Sequence, residues 1–183
     1  MRITPTTVTA TLVAALALTA CGGGGDDGDT APSGTAADGA TGAAAACRAD
    51  RLTIDFGPSN AAPAAGDTGN IPVTLTNTGD TCTLQGVPAT EVHSGGTSWT
   101  VGGQEGAAQP ELTLDETATA SFTITYVRGA AGDPERAVRP ERVEFRLPGD
   151  DALQSHDWPD AEVALVSAEE LEMTVSPFLP AGD

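Results

Sequence analysis

The stretch "TATASFTITYV", residues 117–127, sets Ala118, Ala120, Phe122, Ile124 and Tyr126 on one parity and interleaves them with four Thr or Ser residues. A period of two collects the apolar side chains on one face of an extended strand, whereas 3.6 residues per turn would scatter them around a helix. The pattern recurs along the chain: Leu52, Ile54 and Phe56; Ile71, Val73 and Leu75; Cys82 and Leu84; Trp99 and Val101; Leu112 and Leu114; Val143, Phe145 and Leu147; Leu171, Met173 and Val175. Turn-forming runs such as "GPSNAAPAAGDTGN", "NTGD", "HSGGTS", "VGGQEG" and "LPGDD" separate them. Short alternating strands with this punctuation predict an all-β domain over residues 47–183, an immunoglobulin-like antiparallel β-sandwich with one face of each strand inward and the Thr- and Glu-bearing face in solvent. Two short stretches read as helical turns: Asp133-Pro134, a capped first turn halted by Pro140, and Ser167 with Glu170, which have capping-box spacing.

The alternation begins only at about residue 47, and what precedes it has a different logic. Arg2 is followed by an apolar run from Val8 to Leu18 and then by the small residues Thr19 and Ala20. This is the layout of an export signal, and eleven residues are too few for a helix crossing a hydrocarbon core, which needs about 20. Leu18, Thr19, Ala20 and Cys21 resemble the lipobox of bacterial lipoproteins, in which the cysteine sulfur receives diacylglycerol and becomes the new N-terminus. The expectation is therefore a signal peptide over 1–20 and an acylated Cys21, palmitate being the kind of chain carried. The single basic residue of the leading segment, Arg2, departs from the usual richer positive charge. Residues 22–46 are almost wholly Gly, Ala, Asp, Thr and Ser, which cannot bury enough surface to offset the entropy of ordering. Such a coil reaches about 25–30 Å root-mean-square, long enough to hold a folded domain clear of lipid headgroups.

Charge and cysteine count narrow the partners. Without residues 1–20 the chain keeps seven Arg, no Lys and 26 acidic residues, a net charge of about −19. A surface this acidic repels phosphate backbones, so nucleic acid is excluded as a partner. The expected partner is the membrane itself, through the lipid anchor on the extracytoplasmic face, with an envelope protein or glycan as a further ligand class. Once Cys21 carries lipid, Cys47 and Cys82 form an even pair in an exported protein, which reads as a disulfide. A catalytic thiol or a metal pair would want a CxxC spacing or a reducing compartment, and neither fits.

The stretch "LTNTGDTCTLQGVPAT", residues 75–90, resembles the signature of the DUF4232 family of envelope proteins: an apolar strand, Asn-Thr or Asn-Ser, a short turn, then Cys-x-Leu-x-Gly-x-Pro. Asn77, Thr78, Cys82, Leu84, Gly86 and Pro88 match that pattern, and Cys47 ahead of Leu52 matches the family's earlier cysteine. The resemblance implies a secreted or lipid-anchored β-sandwich without a defined biochemical role and contributes no catalytic residue. It implies a further cysteine pair in many members, which this chain lacks. Each signature residue has a structural explanation: Asn77 an Asx-type turn, Gly86 a backbone site closed to side chains, Pro88 the end of a strand.

Catalytic constellations are hard to assemble from the remaining residues. The chain has no Gly-x-Ser-x-Gly, no phosphate loop with Lys and no HExxH, and its two histidines, His93 and His156, are far apart in sequence. The expectation is a protein that is not an enzyme and uses no cofactor or metal. His156 and Asp157, with Asp150, Asp151 and Asp160 nearby, are either a divalent-cation site or a solvated acidic loop, and the absence of ligand spacing favours the loop. An envelope enzyme or metal sensor built on that segment is the alternative function. Trp99 is expected in the core, and Trp158 is equally suited to plugging the core or anchoring a ligand.

Overall fold

The computed structural model describes residues 44–181, so the signal segment, Cys21 and most of the linker lie outside the described residues. One turn of 3-10 helix, Ala49–Arg51, leads into β1 (Leu52–Phe56). There follow β2 (Thr68–Asn77), β3 (Cys82–Leu84), β4 (Ala89–Ser94), β5 (Thr97–Gly103), β6 (Leu112–Leu114) and β7 (Thr119–Val127). The second half supplies β8 (Ala137–Val138), β9 (Arg142–Arg146), β10 (Gln154–Asp157), β11 (Val163–Ser167), β12 (Glu170–Leu171), β13 (Met173–Val175) and β14 (Leu179–Pro180). The domain is all-β, as the alternation requires.

Nine strands form one sheet in the order β1-β2-β7-β13-β5-β4-β9-β10, with β14 also on β7. Its spine is the antiparallel pair β2–β7, in register from Thr68 opposite Val127 to Thr76 opposite Thr119. Ile71, Val73 and Leu75 thereby meet Ile124, Phe122 and Ala120 on the buried face. Removing a side chain such as Phe122 from water contributes about 1.5–3 kcal/mol, and the alternation repeats that gain at every second position. The sheet curls onto itself. Phe122 on β7 meets Phe145 on β9 edge-on, with ring centroids 5.2 Å apart, although three strands separate them in the sheet order.

One pairing departs from the antiparallel expectation. β13 lies antiparallel to β7 but parallel to β5, at Thr174–Gly102 and Val175–Gly103. A long connection separates β5 from β13, which is what parallel neighbours need. The Leu171-Met173-Val175 alternation also proves discontinuous. All three side chains are buried, but Glu172 N–H donates to Ala164 O, and the chain passes there from the small β12-β11-β8 sheet into the large one.

Of the two expected helical turns, the one at Ser167 and Glu170 does not form, and the one at Asp133-Pro134 is a single turn that continues into no helix. Ser167 and Glu170 face each other across the β11–β12 hairpin, whose sharp reversal uses the same Ser hydroxyl that a helix cap would, accepting from Glu169 N–H. Asp133-Pro134 opens a turn in which Asp133 O accepts from Arg136 and Ala137 N–H before β8 begins. Trp99 is buried and its indole N–H donates to Ala168 O, tying this hairpin to β5. Trp158 is core as well: it is 8 % exposed, packs edge-on against Tyr126 and donates to Ala161 O. Tyr126 in turn needs Gly69 beneath it, since a Cβ there would lie 2.4 Å from the ring.

Candidate functional site

On β4 and β9 the inward positions Thr90, Val92, Val143 and Phe145 are buried, which turns Glu91, His93, Arg142 and Glu144 to the opposite face. Register does the rest. Glu91 is directly opposite Glu144, and His93 is directly opposite Arg142. His93 Nε2 lies 3.0 Å from Glu144 Oε2 and 3.7 Å from Glu91 Oε2. Arg142 Nε donates to Glu144 Oε1 at 2.8 Å. That guanidinium holds the Glu144 carboxyl below the usual carboxylate range, against the opposing effect of burial, and His93 adds a smaller pull. His93 Nε2 is buried and, despite its closeness to Glu144, completes no hydrogen bond of good geometry. Among the described residues, Glu91, His93 and Glu144 are the group of three metal-ligating side chains whose donor atoms lie within 4.8 Å of one another.

Cys47 and Cys82 are joined, with Cα atoms 4.9 Å apart. The bond ties the segment before the 3-10 turn to β3, where Cys47 N–H donates to Thr83 O and Thr83 N–H to Ala45 O, each at 2.8 Å. Buried Asp150 secures the same segment from the other side, its Oδ2 accepting from Ala49 N–H at 2.7 Å. Asn77 is fully buried at the end of β2. Its Oδ1 accepts from Gly79 N–H, the Asx turn expected from sequence, and its amide also donates to Asp80 O and Leu114 O, each at 2.9 Å. Thr78 Oγ1 donates to Arg51 O, joining this turn to the start of β1. Leu84 is buried. Gly86 adopts φ +100°, a conformation that side chains disfavour, while an added Cβ would meet nothing closer than 3.7 Å, so conformation and not a closed site accounts for the glycine. Pro88, expected to end a strand, is instead buried just ahead of β4.

The model of a family described as "Domain of unknown function (DUF4232)" matches residues 47–179. The chain belongs to the DUF4232 family. No curated protein matches it. The match runs from the first cysteine of the DUF4232 domain to its last strand; of the signature residues, Asn77 closes its turn, Cys82 forms the disulfide, Gly86 takes the positive φ and Leu84 packs in the core.

Among the described residues, His156, Asp157 and Trp158 belong to no cluster of three metal-ligating side chains. His156 and Asp157 lie on an edge strand, β10, and not in a loop, opposite Val143 and Arg142, and Trp158 follows its end. The His156 ring stacks on Phe56 of β1, centroids 3.9 Å apart and nearly parallel, and so joins the two terminal strands of the large sheet's order. Metal-ligating groups converge around His93 instead, two strands away. The local signal for that convergence was Glu91-x-His93, two residues apart and hence on one face of a strand. The third member, Glu144, is brought in only by the pairing of β4 with β9.

Proposed function

We propose that this DUF4232 chain is a lipid-anchored extracytoplasmic module that binds or organises a partner at the cell envelope without catalysing a reaction. The observation that carries the reading is the succession in sequence of an apolar run, Leu18-Thr19-Ala20-Cys21, a Gly- and Ala-rich tether and an acidic, disulfide-closed domain. A diacylglycerol on Cys21 supplies the attachment, the tether supplies reach, and the acidic surface keeps the domain off anionic headgroups. The finer architecture we propose is an immunoglobulin-like sandwich, supported by the Phe122–Phe145 contact across the curl. The signature side chains support a non-catalytic role, because the Asn77 amide and the two cysteines are consumed by structural bonds.

Cell fractionation tests the anchor. The wild-type chain is expected in the membrane fraction with incorporated labelled palmitate, and Cys21→Ala is expected to lose both the label and membrane retention. A Cys21→Ala chain that stays membrane-bound refutes the anchoring. Cross-linking and capture of the anchored protein from intact envelopes then identifies the partner.

A further inference from the structure

We propose that Glu91, His93 and Glu144 bind one divalent transition-metal ion of the zinc class on the outer face of the sheet. This goes beyond the anchoring function and does not depend on it. Ligands at about 2.0–2.1 Å from one ion stand about 3.4 Å apart in a tetrahedron and about 3.0 Å apart at the edges of an octahedron. The imidazole nitrogen lies 3.0 Å and 3.7 Å from the two carboxylate oxygens, which spans that range before any side chain moves.

Electrostatics points the same way. Like charges directly opposite on neighbouring strands are destabilising, yet Glu91 and Glu144 hold that relation in a chain whose only basic side chains besides histidine are eight Arg. Arg142 engages one oxygen of Glu144, Oε1, and leaves Oε2 turned to His93. That is the arrangement by which an outer partner orients a metal-ligating carboxylate. His93 Nε2, although 3.0 Å from Glu144 Oε2, completes no hydrogen bond of good geometry, so a metal between them would give this buried polar atom a well-directed bond. Glu91, with 42 % of its side chain exposed, leaves a route for the ion and room for water to complete the coordination. One imidazole with two carboxylates suits zinc or manganese better than calcium, which prefers an all-oxygen shell. The ion would bridge β4 and β9 and stabilise their pairing.

The test uses the detergent-solubilised full-length chain carrying Cys21→Ser, with any affinity tag removed so that no free thiol or added imidazole competes. Zinc chloride titrated calorimetrically into the chelator-treated protein is expected to saturate at one ion per chain. A hundredfold excess over the dissociation constant is expected to raise Tm by roughly 8–10 °C. His93→Gln and Glu144→Gln are each expected to weaken zinc binding at least about tenfold, and Arg142→Gln about tenfold or more through the freed carboxylate. Calcium at equal concentration is expected to leave Tm unchanged. Because half-buried His93 contributes to packing, Glu91→Gln is the second variant: relieved of the like-charge pair, its metal-free Tm should be no lower than the parent's while its zinc response shrinks. No zinc binding, or a zinc site equally strong in His93→Gln and Glu91→Gln, overturns the proposal.

Discussion

Removing the Cys47–Cys82 bond isolates what a covalent link adds to a segment that is also held by hydrogen bonds. The cysteines are 35 residues apart, and for a closed loop of that size the chain-entropy relation gives about 4 kcal/mol at 25 °C. A domain of about 140 residues unfolds with an entropy near 0.3 kcal/mol/K, so Cys47→Ala/Cys82→Ala should lower Tm by about 10–15 °C. The fold should nonetheless survive, because the lead-in strand keeps its two backbone bonds to Thr83 and the Ala49–Asp150 bond. Asp150 is suited to this: the Ala49 N–H holds its carboxyl below the usual range, with Arg48 at 3.6 Å adding to the effect. Asp150→Asn alone should cost about 1.5–3 kcal/mol, the value of a hydrogen bond to a charged group. The two perturbations act on one segment, so their effects should be coupled and not additive. Circular-dichroism melts of the Cys21→Ser chain and these variants, with thiol titration under denaturing, non-reducing conditions, give the readout. Two reactive thiols in the parent, or a fall in Tm below about 5 °C on losing the bond, would refute the reasoning.

Two further outcomes follow from buried polar groups. Asn77→Ala strands the Leu114 and Asp80 carbonyls and the Gly79 N–H, and should cost about 2–4 kcal/mol; a urea midpoint within error of the parent's contradicts that role. Tyr126 is the only tyrosine, so phenolate absorbance reports it alone. Burial foremost, and then the Asp160 carboxylate beside it, push its pKa up to about 12, although neither Tyr126 Oη nor Asp160 Oδ2 completes a hydrogen bond of good geometry. The unfolded chain loses this proton near pH 10 and the folded chain keeps it, so the stabilisation is full below about pH 10 and is lost as pH rises from there through 12. Phenolate absorbance should therefore rise together with unfolding, and a titration near pH 10 with native circular dichroism intact would disprove the burial argument.

What could be read before the structure depended on whether a residue's fate is decided by its neighbours in sequence or by a distant strand. β2 and β7 lie at the centre of the core, and hydrophobic burial at every second position writes itself directly into the alternation. Asn77 is equally local, its turn closing on Gly79 two residues later. The cysteine pair was legible by count, since assigning Cys21 to lipid leaves two. β4 and β10 carry little such signal: β4 buries only Thr90 and Val92, and β10, at the edge, buries no residue fully. On β10 the exposed His156 lies on Phe56, so a side chain weighed as a ligand but favoured as part of a solvated loop serves instead in an aromatic stack. The Leu171-to-Val175 alternation predicted burial correctly and continuity wrongly, because the Glu172–Ala164 hydrogen bond that divides it joins segments whose neighbourhood no local pattern encodes. The same limit explains the metal-ligating group. Glu91, His93 and Glu144 each look like ordinary solvent-face residues, and a one-residue slip of β9 against β4 would turn Glu144 inward and place Val143 or Phe145 beside Glu91. The site is therefore a property of register, and register is set by the buried side of the same strands, where Val92 lies opposite Val143 and Thr90 opposite Phe145. The core residues that make the fold are thus also what aligns the three ligands on its surface.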